Sequence, residues 1–199
     1  MIILLCSPVH GPVHENLESA GHMQLTTDKK ARLLHGELLV EIDWLTGDVI
    51  GAGGSVFVKA PPEVVWGMLT DYGNLHNTMP KVTSSALVET DGATRIIEQT
   101  GRSGIFIFER TVHFMLKVDE EYPTRLHFEQ VSGDFKVYEG NWFLEAATGD
   151  GGTGTLVTYE AKMKPNFFAP PILVSFVQSQ DLPAILRSIR SYCEPLAGG

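Results

Sequence analysis

Cysteine is scarce in this 199-residue chain, which has only Cys6 and Cys193. The two stand in segments with no reason to meet, so a disulfide framework of the kind that holds small secreted domains together is excluded. Such usage suits a reducing compartment. The expected location is the cytoplasm, with association at a membrane as the alternative. No stretch approaches the roughly 18 apolar residues that a spanning helix needs, so an integral membrane protein is not expected. Basic residues are the minority, 15 against 24 acidic, for a net charge of −9. A nucleic-acid partner would need a basic face, and none is expected. Lys162, Lys164, Arg187 and Arg190 read as solvated charges near element ends. The seven histidines do not make a metal site. His10 and His14 have i, i+4 spacing, but Pro12 between them opposes a helix and no third ligand is near. Nucleophile elbow, zinc-protease motif and phosphate loop are all missing. Gly51-Ala52-Gly53 lacks the third glycine of a dinucleotide-binding turn and runs into a strand rather than a helix. No cofactor, metal or catalytic residue is therefore assigned, and oligomeric state is left open.

What is present is a soluble-domain composition, 43% hydrophobic and 20% charged, in a chain long enough for one domain of about 150 residues plus an appendage. Residues 37–45 and 49–59 read as a hairpin around Thr46-Gly47-Asp48, its second strand interrupted by Gly51-Ala52-Gly53-Gly54, where a bulge or sharp bend is expected. Val56 and Val58 point to one side of that strand and Phe57 to the other. Pro61 and Pro62 then open a helix over 62–72, with Val65, Leu69 and Tyr72 on one stripe beside Trp66. A second helical turn over 73–79 ends at Pro80. Strands follow at 82–90, 94–101, 104–119, 124–132, 135–146 and 154–164, separated by turn signals such as Asp91-Gly92 and the glycines of 149–154. A long helix over 172–193 closes the chain. Pro183 is expected to bend or break it, and Leu182, Ile185, Leu186, Ile189 and Cys193 share one face.

Five local words stand in order: A-P-P-E-V-V-W with L-T-D-Y at 60–72, M-P-K-V at 79–82, G-D-F-K-V-Y-E-G-N-W at 133–142, G-T-L-V-T-Y-E at 154–160 and D-L-P-A-I-L-R-S-I-R at 181–190. Over roughly Ser55 to Glu194 the chain thereby resembles the START-like superfamily (SRPBCC, helix-grip), in its polyketide cyclase/dehydrase and coenzyme Q-binding branch. The resemblance implies an α+β helix-grip fold, in which a curved antiparallel sheet wraps a long C-terminal helix. Such a fold leaves a cavity between sheet and helix, suited to a hydrophobic small molecule. The expected division is a flexible segment 1–36, a ligand-binding domain 37–194 and a tail 195–199. Within the first segment, Met1 to Cys6 is a short apolar burst with three readings: a truncated lipoprotein signal acylated at Cys6, a leader, or a misplaced start ahead of Met23.

The even positions of strand 104–119 carry Phe106, Phe108, Arg110, Val112, Phe114, Leu116 and Val118, one cation in an apolar row. A charge taken out of water needs a partner. Glu98 on the neighbouring strand is one candidate for Arg110, and a ligand carbonyl or hydroxyl is another. Tyr138 and Trp142 share parity on one strand, with Tyr159 on the next. Rings with polar tips suit a flat, partly polar ligand, and equally an ordinary core. Phe176 begins the last helix near the expected cavity mouth, while Phe167 and Phe168 suggest transient contact with a membrane surface or a cap over the barrel end. Asp71 reads as a helix-end residue, and His113 and His127 fall on the outer face. The expected ligand set is Phe106, Phe108, Arg110, Tyr138, Trp142, Tyr159 and Phe176. The partner they suggest is a quinone, isoprenoid lipid or aromatic polyketide-like molecule, bound for sequestration or presentation. A cyclase or dehydratase and a protein-interaction module are the alternatives.

Overall fold

The computed structural model describes residues 25–103, 110–166 and 177–198. Among these residues, eight antiparallel strands form one sheet in the order β1-β2-β8-β7-β6-β5-β4-β3. They are β1 (Leu38–Leu45), β2 (Val49–Val58), β3 (Val82–Asp91), β4 (Thr94–Ser103), β5 (Arg110–Glu121), β6 (Arg125–Gly133), β7 (Phe135–Gly149) and β8 (Gly152–Pro165). Helix α1 (Thr27–Leu34) precedes the sheet, α2 (Pro62–Thr70) and α3 (Leu75–Thr78) leave β2, and α4 (Leu182–Ala197) follows β8. The α+β arrangement of a large antiparallel sheet with a C-terminal helix is thus present.

The β2–α2 junction forms where the sequence expects it. Pro62 stands in the first helical turn, where no amide donor is required. Val65, Trp66, Leu69 and Tyr72 are all buried. The Ala60 carbonyl accepts from the Thr155 hydroxyl at 2.7 Å. The Lys59 amide donates to Glu194 at 3.1 Å, pinning the far end of α4 to the same corner.

Three expectations need correction. The glycines of β2 make no bulge: β2 pairs residue for residue with both β1 and β8. Their small size instead admits α4, since a β-carbon at Gly54 would come within 2.8 Å of Leu186 Cδ1. Pro183 does not interrupt a helix either. It lies in the first turn of α4, after a π-helical turn Val177–Asp181, a position that tolerates its missing donor. The expected helix start at 172–176 lies outside the described residues. Finally, the segment expected to be flexible as far as residue 36 contains helix α1, capped by the Thr26 hydroxyl on the Lys29 amide. Leu33 of α1 is fully buried against Phe57 and Leu156, on the face of β2 opposite Val56 and Val58. The sheet therefore has a main core under α4 and a small second core under α1. His35, beyond α1, contacts Asp150 at 2.5 Å, and that hydrogen bond holds its imidazole above the usual histidine range.

Helix α4 buries Leu182, Leu186, Ile189 and Cys193, with Ile185 partly buried beside them. Arg190 is part of the frame rather than a free surface charge. Its guanidinium donates to the carbonyls of Phe57 and Gly36, each at 3.1 Å. The Cys193 Sγ lies 3.7 Å from Met68 Sδ, and burial pushes its thiol pKa up to about 11. In a Cys6→Ser background the native protein should therefore stay unlabelled by a thiol reagent at pH 8, over a time in which the unfolded chain is fully labelled. Equal labelling rates would show that α4 does not hold its thiol under cover.

Candidate functional site

Between the concave face of the sheet and α4 lies a cavity of about 260 Å³. The strand period of two aims alternate residues at it. From β5 come Val112, Phe114, Leu116 and Val118, from β6 Leu126 and Phe128, and from β7 and β8 Tyr138, Trp142, Tyr159 and Met163. Leu69, Tyr72 and Leu75 close it from the α2–α3 side, and Leu182 and Ile185 from α4. The wall is predominantly apolar, with polar groups at three places.

The first is the aromatic floor. Tyr159 stacks parallel to Phe128, centroids 6.0 Å apart, and packs against Trp142 at 4.6 Å. Tyr138 is held by Phe114, Phe128 and Phe135 at 5.1–5.4 Å. The two tyrosine hydroxyls hydrogen-bond to each other, and burial raises the pKa of both above the ordinary phenol value. Both are neutral at any physiological pH.

A second polar group is anchored outward. The Tyr72 hydroxyl donates to Glu120 at 2.7 Å, and Arg95 reaches the other Glu120 oxygen at 2.9 Å. Burial, then the bond to Glu120, holds the Tyr72 pKa well above the phenol range. At the third place Lys81 bridges to Asp181 at 3.1 Å, tying the turn after α3 to the start of α4. Lys81 has φ +74°, and its carbonyl accepts from the Arg102 amide. Gln99, also on the wall, donates to Ser85 at 3.1 Å.

Of the seven residues expected from sequence, the structure brings Tyr138, Trp142 and Tyr159 to this cavity. Phe106, Phe108 and Phe176 lie outside the described residues, as do Phe167 and Phe168. Strand β5 begins at Arg110 rather than at 104, and the backbone of Arg110 pairs with Ser103. Glu98 is not placed to be its partner. It stands opposite Met115, and the cavity positions on β4 are its neighbours Ile97 and Gln99, so Glu98 belongs to the other face of the sheet. Tyr72, Lys81, Gln99 and Asp181 are additions to the expected set. Tyr72 is legible in the sequence only as part of a helix stripe, and Lys81 and Asp181 meet through a tertiary contact that no local pattern signals.

The geometry is that of a ligand-holding fold, and a family model described as polyketide cyclase / dehydrase and lipid transport matches residues 58–190. The chain belongs to this family. No curated protein matches it by sequence. Among solved structures, the STAR-related lipid transfer protein (fragment 25–204) from Xanthomonas axonopodis superposes with a TM-score of 0.62 at 18% identity, covering 78% of this chain and 92% of that one. The Zhui aromatase/cyclase from Streptomyces sp. R1128 gives 0.60 at 12% identity, covering 73% and 94%. A START superfamily protein from Mycobacterium smegmatis gives 0.58 at 14%, covering 73% and 98%. At such identities these likenesses show the shared fold of the polyketide cyclase/dehydrase and START-like proteins. Among the described residues, no helix is long and apolar enough to cross a membrane.

Proposed function

We propose that this member of the family binds a hydrophobic small molecule in the cavity under α4, for sequestration or presentation. The ligand class is a quinone, an isoprenoid lipid or an aromatic polyketide-like compound, as in the coenzyme Q-binding branch. The observation that carries the reading is the cavity itself, about 260 Å³ of mostly apolar wall with an aromatic floor. Each buried methylene contributes about 0.8 kcal/mol, so a ring with a short tail supplies most of the affinity by burial. The volume falls just below the roughly 300–1,000 Å³ of drug-sized sites. A ring or a short prenyl unit fits inside, and a longer tail would extend through the mouth by Lys81 and Asp181. Arg110 shares strand parity with Val112 and Phe114, and is proposed with Phe106, Phe108 and Phe176 to complete the ligand set.

An open cavity argues against an interaction module with a filled interior. Mass spectrometry of detergent-free protein, native and after organic extraction, tests the binding reading. A stoichiometric quinone or lipid is the expected result. An empty protein that also refuses added prenyl-quinones would overturn it. Turnover of a poly-ketone chain, lost in a folded Arg110→Ala protein, would move the assignment to a cyclase or dehydratase.

A further inference from the structure

Three tyrosines line the cavity, and their hydroxyl hydrogens are committed differently. Tyr72 gives its hydrogen to the Glu120 carboxylate, so toward any other group its oxygen can only accept. Tyr138 and Tyr159 have two hydroxyl hydrogens between them and share one mutual hydrogen bond. A phenol pair can use one hydrogen in that contact, and the other is left to donate. Among the described residues, no protein acceptor takes it. Nearly the whole ring surface of the pair is enclosed by Phe114, Phe128, Phe135 and Trp142, none of which offers a side-chain oxygen. A buried donor without a partner is costly, so the cavity has a built preference for an occupant that brings an acceptor to this point.

The same wall limits the charge of that occupant. Ionisable side chains that carry charge at neutral pH, Lys81, Arg102 and Asp181, line the cavity from the β4 end and the turn before α4. Nothing cationic stands at the aromatic floor among the described lining residues. An ionised carboxylate placed there would be desolvated without a counter-charge. A carbonyl oxygen needs only the one hydrogen bond that the pair can give.

We infer that the Tyr138–Tyr159 pair is the polar anchor of the cavity, and that it selects neutral, flat ligands carrying a carbonyl-type acceptor oxygen over hydrocarbons of the same shape and over carboxylates. The inference rests on the proposed ligand-binding function and narrows its ligand class: ketones and quinones are taken by the carbonyl oxygen, and a plain isoprenoid hydrocarbon is discriminated against. Stacking between Tyr159 and Phe128 at an interplanar angle of 10° adds a flat surface to the anchor. Losing a hydrogen-bonded substrate group at a site built for it is the stronger kind of discrimination, because it strands the protein's own polar atom.

The test compares three probes on the full chain by titration calorimetry: 2-acetylnaphthalene, its near-isostere 2-isopropenylnaphthalene, and 2-naphthoate. The ketone should bind at least about tenfold more tightly than the alkene, as expected for one hydrogen bond to a buried donor, and the carboxylate more weakly than either. In the Tyr138→Phe/Tyr159→Phe protein the ketone should lose that advantage while the alkene binds as well as before or better. Equal binding of ketone and alkene to the unmodified chain overturns the anchor and leaves the binding function standing. So does a ketone preference that survives in the double variant. Failure of both neutral probes to bind overturns the binding function and the anchor together. The comparison on the unmodified chain needs no variant, so a double variant that does not fold leaves the decisive arm intact.

Discussion

Gly140→Ala should lower stability by about 3 kcal/mol, at the upper end of what overpacking costs. A β-carbon at this position would overlap the Glu160 carbonyl oxygen, and would sit 2.9 Å from the Ala161 Cα and 2.7 Å from the Phe128 ring. Two of those three contacts are backbone of β8, which is paired on one side with β2 and on the other with β7. Backbone held in two ladders cannot move a few tenths of an ångström without disturbing both. Phe128 is equally constrained, being buried and stacked on Tyr159. Urea unfolding should show a lower midpoint with an unchanged slope. Gly67→Ala is the control: Gly67 lies exposed in α2, and a β-carbon there would have nothing within 4 Å. Alanine at that position should stabilise by about 0.5–1 kcal/mol through helix propensity. Similar effects at the two sites would show that the crowding at Gly140 is relieved without cost. The G-N-W word of residues 140–142 thus has a physical reading: glycine lets β7 and Phe128 close on β8, and Trp142 two residues on joins the aromatic floor.

The parts of the fold that are legible in the sequence are those specified locally. Alternation tells which residues of β5 and β7 face inward, since Val112, Phe114, Leu116, Tyr138 and Trp142 all reach the cavity. The proline-started helix and its Val65–Leu69–Tyr72 stripe follow from short-range rules, as does Asp71 at the end of α2. What escapes is set by contacts distant in sequence. The register of β4 on β5 places Gln99, not Glu98, toward the cavity, and parity counted along β4 alone does not reveal that. Helix α1 is short and strongly polar, with Leu33 as its one fully buried side chain, so its stability comes from docking rather than from an amphipathic pattern. Pro183 looks like a helix breaker as long as the helix start is unknown. The same residue in a first turn is a helix starter.

The β2 glycines, which suggest a bend in the sequence and leave room for α4 in the fold, carry the last prediction. A β-carbon at Gly54 would approach Leu186 Cδ1 at 2.8 Å and Leu182 at 3.2 Å. Both leucines are buried on α4, so neither can swing into solvent. Gly54→Ala should therefore cost about 2 kcal/mol by overpacking, and Leu186→Ala about 3 kcal/mol by leaving a void. In the double variant the alanine at 54 occupies part of the space that the Leu186 side chain vacates. Its cost should fall short of the sum by about 1–2 kcal/mol, the sign expected for residues that compete for one volume. A sum that is simply additive would mean that α4 slides away from β2 in the single variant instead of resisting the new methyl. That outcome has its own signature at the site, because Leu182 and Ile185 of α4 form one wall of the cavity. A helix displaced from Gly54 would change the affinity for a bound ketone even though position 54 is not on the cavity wall. Calorimetric binding of 2-acetylnaphthalene to the Gly54→Ala protein, set beside the unfolding cycle, therefore separates a helix that is wedged in place from one that yields.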